Sequence, residues 1–271
     1  MNQIAVLVRK MCKMFSERRT EQLLAITYGI LCHSLFLMAG MIMFWTLLNG
    51  FVVAQGTVSY PLAIIFNLIL LLQFPAGHSF FLSEQGHRFL RWFAPKKYWQ
   101  TLSTTTYTSI ASFQLLLLFY FWSPSGVIIY HYQWPWNIIH LIFFSISWLF
   151  LSLSSYQAGY KIQTGSLGWT SLFRGISPLY PGMPQTGLFS LVRQPIYLSF
   201  CLILWTSPLM TLDLLVVAIV YSAYCYFAPR LKEGRFKKYY GKEFSTYQKK
   251  VPYFFPQIRK FKLPTSKQKY Y

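Results

Sequence analysis

The run QLLAITYGILCHSLFLMAGMIMFWTLLNGFVVAQGTVSYPLAIIFNLILLLQFPAGHSFFLS, residues 22–83, holds 62 consecutive positions without a Lys, Arg, Asp or Glu. A helix that crosses a hydrocarbon core of about 30 Å needs about 20 mostly apolar residues. The run is therefore long enough to cross twice, and it breaks between Asn49-Gly50 and Tyr60-Pro61. A second uncharged run, of 63 residues between Lys97 and Lys161, breaks across Ser123-Pro124-Ser125-Gly126 and Trp134-Pro135-Trp136-Asn137. A third, of 36 residues between Arg193 and Arg230, is interrupted only by Asp213 and breaks at Thr206-Ser207-Pro208. Three helical hairpins follow, with cores near Gln22–Leu48, Tyr60–Phe81, Leu102–Trp122, Ile138–Tyr156, Leu188–Trp205 and Leu212–Phe227. Helices satisfy their own backbone in lipid, and the alternating pattern of a membrane barrel is missing. The fold class expected is an all-α polytopic membrane bundle of about six crossings.

Composition agrees. Of 271 residues, 54% are hydrophobic, 20% aromatic and only 11% charged. Soluble domains carry about 25% charged residues, and disordered chains are poor in aromatics. Both classes are excluded for most of the chain. The 25 Lys+Arg against 6 Asp+Glu give a net charge of +19. Its distribution explains it: segments 1–21, 84–97, 161–193 and 230–271 hold 5, 4, 3 and 13 of the basic residues. With six crossings all of them fall on one face, and the positive-inside rule puts that face and both termini in the cytoplasm. No nucleic-acid partner is required, and the basic C-terminal run suits anionic lipid headgroups. The basic N-terminus runs into a long apolar stretch without a small-residue cleavage site, so a cleaved signal peptide is not expected. Cys12, Cys32, Cys201 and Cys225 have neither metal spacing nor a disulfide framework and read as small buried apolar residues.

No nucleotide, zinc or nucleophile-elbow motif occurs, so chemistry belongs at the cytoplasmic helix ends. Gly187-Leu-Phe-Ser-Leu-Val-Arg193-Gln194-Pro195-Ile-Tyr197 puts an Arg beside the first turn of a helix. That Arg either snorkels to the interface or binds an anion with its fork of donors. From Pro229 to Pro252, Phe236, Tyr240, Phe244, Tyr247 and Val251 recur at helical spacing, which reads as one face of an amphipathic interfacial helix. Glu233, near its start, is either paired structurally or part of a ligand site. His78, after Pro75-Ala-Gly77, is either hydrogen-bonded to a carbonyl or serves a reacting group. His33, His131 and His140 lie in or by the outer halves and receive no role.

The run Gly187–Tyr197, the Pro-broken hairpin, then Glu233, Tyr240-Gly241, Tyr247, Val251-Pro252 and Pro256, resembles the C-terminal half of membrane methyltransferases. These include the isoprenylcysteine carboxyl and phospholipid methyltransferases. Gly77-His78-Ser79, Arg91-Trp92, Tyr107, Leu115–Trp122 and Trp205–Thr211 extend the resemblance toward the methanethiol S-methyltransferase branch and its nitrite-reductase-accessory relatives. The resemblance implies residues 22–256 as one methyltransferase-like domain, with the cofactor half at 187–256, a basic segment 1–21 before it and a basic tail 257–271 after it. It implies S-adenosylmethionine as cofactor, held by Arg193, Gln194, Tyr197, Glu233, Tyr240 and Tyr247, and no metal. The acceptor is a small or lipophilic thiol such as methanethiol, with His78 the remaining candidate base. The expected location is a membrane, bacterial inner rather than organellar, with lipid as a partner.

The chain departs from the family pattern at two places in the site: its Arg-His-Pro reads Arg193-Gln194-Pro195, and its Glu-Glu pair reads Lys232-Glu233. An Asn-His-Phe-Asp stretch has no counterpart near Ile162–Gly165, nor a Glu-Arg pair near Ser103-Thr104. These changes keep open a scaffold of the same fold without chemistry, or an acceptor that is a lipid amine or an isoprenoid carboxylate. A transporter is disfavoured, because only Asp213 lies away from the cytoplasmic face.

Overall fold

A computed structural model describes residues 2–256; the expected tail 257–271 and the side chain of Cys12 lie outside the described set. The elements in order are α1 (Asn2–Leu48), α2 (Leu62–Phe81), α3 (Glu84–Phe89), α4 (Trp99–Phe121), β1 (Ile128–His131), α5 (Trp136–Gln157), α6 (Tyr160–Gln163), α7 (Ser166–Arg174), α8 (Pro195–Trp205), β2 (Leu209–Thr211), α9 (Leu212–Phe227) and α10 (Pro229–Lys250). Ser16–Leu48 of α1, α2, α5 and the stretch opening with α9 are long and apolar enough to cross a membrane. Their outward faces are apolar, with Leu37, Met41, Ile64, Ile69 and Leu149 all exposed. The all-α bundle read from the charge-free runs is the observed architecture.

Helix α4 is the central post. Its first half is rich in Ser and Thr, and Ser103, Thr105, Thr106, Thr108 and Ser112 are buried. Small side chains let helix backbones approach closely, so α4 packs on α1, α2 and α7. The connection after α5 also enters the bundle. Thr105 Oγ1 donates to the Gly165 carbonyl at 2.6 Å and accepts the Trp169 N–H at 2.9 Å. The Trp169 indole lies so close to Gly29 of α1 that a Cβ there would meet the ring at 2.8 Å. Its N–H donates to His33 Nε2 at 3.0 Å. His33, expected in the outer half without a role, thus anchors a segment that comes from the basic end.

The four basic segments meet at one end of the bundle. Lys97 pairs with Glu21 at 3.2 Å, Lys238 with Glu84 at 3.7 Å and Arg193 with Glu233 at 2.9 Å, while Arg18 donates to the Arg174 carbonyl at 2.7 Å. The uncharged connections meet at the other end, in a form that the charge-free runs do not foretell: β1 pairs antiparallel with β2. Asp213 closes this end, accepting from Trp122 Nε1 at 2.9 Å and from Ser125 N and Oγ at 2.9 and 2.6 Å. Asn67 clamps the backbone of Ser123 from both sides, at 2.8 and 2.9 Å.

The fifth expected helix is corrected. The expected core Leu188–Trp205 holds a helix only from Pro195 to Trp205, preceded by a 3₁₀ turn over Gly187–Ser190. Eleven residues rise about 16 Å, short of a full crossing. Pro195, itself without a donor and with a ring that excludes the preceding residue from helix, sets the start. Cys32 and Cys225 are buried as expected, and Cys201 is half-buried.

Pro75 lies inside α2 and cannot donate to the Leu71 carbonyl, four residues back. Tyr221 of α9 supplies the missing donor, its hydroxyl meeting that carbonyl at 3.2 Å. Tyr221→Phe should therefore lower stability by about 0.6–1.5 kcal/mol. In a Pro75→Ala background the same change should cost less, since a backbone N–H at that position would restore the helical bond. Unfolding midpoints of the four proteins in detergent check this cycle.

Candidate functional site

The residues Leu191–Gln194 are neither helix nor strand, and they carry Arg193 and Gln194 to the mouth of α8. The Arg193 backbone N–H donates to the Pro252 carbonyl at 2.9 Å. Its guanidinium donates through Nε and Nη2 to the two oxygens of Glu233, at 2.9 and 3.3 Å. Nη1 donates to the carbonyls of Gln248 and Val251 at 2.8 and 2.9 Å. Those carbonyls end α10, where helix C-termini leave acceptors unsatisfied and favour a cation. Glu233, buried, also accepts from Gln194 Nε2 at 2.8 Å and from Gln248 Nε2 at 3.2 Å. Four of the five guanidinium N–H groups are thereby committed to protein. Arg193 is first a clamp, with one N–H uncommitted among the described residues.

A straight helix would separate Glu233 from Gln248 by about 22 Å. They touch because α10 is broken at Gly241, whose φ of 49° and ψ of −113° are non-helical. The amphipathic face is present, but on two helical arms folded onto each other rather than on one helix. Phe244, Tyr247 and Val251 form its buried centre, with Phe236, Tyr240 and Met183 against them. This face packs inward, where an interfacial helix would turn it toward lipid. The Tyr247 hydroxyl donates to the Phe189 carbonyl and seats the second arm on the 3₁₀ turn. Burial pushes that hydroxyl up to about 12, which keeps it a donor.

A second cluster lies beside the clamp. Tyr107 of α4 puts its hydroxyl 2.8 and 2.9 Å from the two ring nitrogens of His78. Phe74 packs on the same imidazole with ring centres 5.0 Å apart. Ser79 Oγ and the Tyr224 hydroxyl of α9 are 3.1 Å apart. Tyr197, on the first turn of α8, lies under the Lys232 ammonium at 5.6 Å, and Phe236 faces the same ammonium at 5.7 Å. His78, Tyr107 and Tyr197 are half-buried.

Of the residues singled out in sequence, Arg193, Gln194, Glu233 and Tyr247 converge on the clamp. Tyr197 lies between the two clusters, Tyr240 belongs to the apolar packing of the folded arm, and His78 stands with Tyr107. One atom at the clamp is unaccounted for: the Gln194 side-chain carbonyl is buried without a hydrogen-bond partner among the described residues. Among the same residues no group of three metal-ligating side chains comes together.

No family model matches the chain, and no solved structure matches it significantly. Curated proteins do. A methanethiol S-methyltransferase of Pseudomonas sp. is 26% identical over 246 residues, 87% of this chain and 91% of the relative. That of Mycobacterium tuberculosis is 28% identical over 247 residues, 87% of this chain and 97% of the relative. Methanethiol S-methyltransferase 1 of Bradyrhizobium diazoefficiens is 28% identical over 198 residues, 73% of this chain and 68% of the relative. The chain is a relative of the methanethiol S-methyltransferases. The similarity covers most of the chain, as the resemblance read from its motifs does.

Sequence reasoning missed Gln248 and counted Lys232 only as a departure. Tyr107 enters it through resemblance alone, without a partner. No periodicity relates Gln248 to Glu233, because their contact depends on the break at Gly241. Gly241→Ala should cost about 1–3 kcal/mol by placing a Cβ in a conformation that L-residues avoid. Limited proteolysis should then cut the 229–256 segment faster than in the parent protein, with the bundle intact.

Proposed function

We propose that this chain is an integral membrane methyltransferase that uses S-adenosylmethionine and methylates a small or lipophilic thiol such as methanethiol. The relatives' names support the reaction class. The observation that carries the donor site is the buried Gln194 carbonyl without a partner. In an apolar setting such an acceptor is costly unless a ligand donor meets it, and the donor's amino groups are of that kind. Bound there, S-adenosylmethionine would supply an electrophilic methyl group on a sulfonium.

The chain's own residues divide the work. The Arg193–Glu233 pair is close to neutral as a unit and holds the mouth of α8 against both arms of α10. Tyr197 and Phe236 offer aromatic faces that suit a sulfonium. Lys232 has no acid at ion-pair distance among the described residues, and it suits the donor's carboxylate better than the committed Arg193. Positioning of this kind supplies much of the rate of an in-line displacement. We read α1, α2, α4, α5, α9 and the short α8 together with the apolar 3₁₀ turn before it as six passes through a bacterial inner membrane. The basic end then faces the cytoplasm, with anionic lipid beneath the tail, and residues 22–256 form one domain.

Calorimetry on the detergent-purified chain should detect S-adenosylmethionine binding. Gln194→Leu should weaken it about tenfold, while Arg193 and Gln248 keep Glu233 paired. No heat at millimolar donor in the parent protein would discard the proposal.

A further inference from the structure

Two cations stand near the mouth of α8, and they are held differently. Arg193 lies over the Tyr253 ring at 5.4 Å, but its guanidinium is also paired with Glu233. Lys232 has no acid at ion-pair distance among the described residues. What its ammonium meets is the ring of Tyr197 at 5.6 Å and that of Phe236 at 5.7 Å. Phe236 is the next turn of α10 on the same helix face, and Tyr197 comes from the first turn of α8. A cation within about 6 Å of a ring centre is drawn to its face. Other features of the position work against a charge. Lys232 lies in the first turn of α10, where a helix favours an anion. Burial brings its ammonium down to about 8, with the Glu233 charge opposing the fall, since desolvation disfavours the charged form. The two rings thus hold a poorly matched cation on a flexible stem.

We infer that Lys232 is a tethered stand-in for an onium ligand: its ammonium occupies the aromatic subsite of Tyr197 and Phe236, and an incoming sulfonium or quaternary ammonium group displaces it. This rests on the proposed donor site and adds to it a cation of the chain's own that competes with the donor. Two positive charges cannot share the rings, because like charges in contact repel even in water. The displaced ammonium can swing on its stem to the donor's carboxylate, which a short carbon chain joins to the sulfonium. The exchange therefore reads both ends of the donor. An onium compound without a carboxylate must expel Lys232 and gives it no partner. A carboxylate without an onium group has no claim on the rings. Lys232 is thus a specificity-determining residue that favours the whole zwitterion over simple cations.

A probe that needs no methyl donor is tetramethylammonium. Its dissociation constant for the full chain in detergent, read by saturation transfer from the protein to its methyl protons, should fall about tenfold in Lys232→Met. Lys232→Gln should behave alike, so the outcome does not hang on one substitution. Adding Tyr197→Leu to Lys232→Met should abolish the gain, whereas adding Tyr197→Phe, which keeps the ring, should preserve it. Unfolding midpoints establish that each variant folds. Decarboxylated S-adenosylmethionine, a sulfonium without the carboxylate, should also bind Lys232→Met more tightly than the parent. S-adenosylhomocysteine, with the carboxylate and no sulfonium, should bind it no more tightly. Equal binding of tetramethylammonium to the parent and both Lys232 variants overturns the inference, and so does a gain that survives Tyr197→Leu. If the gain and its loss are both seen but no S-adenosyl compound binds any of the proteins, the aromatic subsite stands and the donor reading falls instead.

Discussion

One guanidinium holds together the part of the molecule where chemistry is expected. Arg193 pairs with Glu233 at the start of α10 and closes the carbonyls of Gln248 and Val251 at its end. It does so from the last turn of chain before α8. Remove it and three things are lost at once: the cap on α10, the partner of a buried carboxylate and the seat of the α8 mouth. The desolvation of a buried ion pair offsets much of its attraction. Its worth here is geometric, because it sets where Gln194, Tyr197 and Lys232 lie relative to each other. Gly241 makes the clamp possible by letting α10 fold back, and Tyr247 secures the fold from the other side.

The rest of the bundle obeys a related constraint, that polar backbone in apolar surroundings must find a partner. Pro75 interrupts α2, and Tyr221 meets the carbonyl it leaves free. The non-helical chain beyond α4 is gripped by Asn67 and Asp213. Asp213 is thereby spent on structure, which removes the one residue that gave a transporter reading any footing. Each of these repairs joins two helices, so local breaks in the helices become the contacts that align them.

Alignment brings distinct electrostatic environments to the basic end. The clamp is a matched ion pair, while the neighbouring cluster of Phe74, His78 and Tyr107 is aromatic and hydrogen-bonded. Lys232, which the resemblance marks as a departure from an acid, lies over Tyr197 and faces Phe236.

Charge spacing alone determined the class of fold and gathered the basic segments on one face, because a span without charge is costly anywhere except in lipid. It also marked Arg193, Gln194 and Glu233, since polar residues at the edge of an apolar run have few places to go. It was wrong about the length of the fifth helix, because apolar content does not tell a helix from a 3₁₀ turn followed by extended chain. Only the tertiary structure decided that α10 is two arms, that Gln248 closes on Glu233, that His33 meets Trp169 and that His78 meets Tyr107. These contacts span 15 to 136 positions of sequence. No periodicity links residues so far apart; what joins them is the packing of whole helices, together with a single glycine whose backbone angles would strain any side chain.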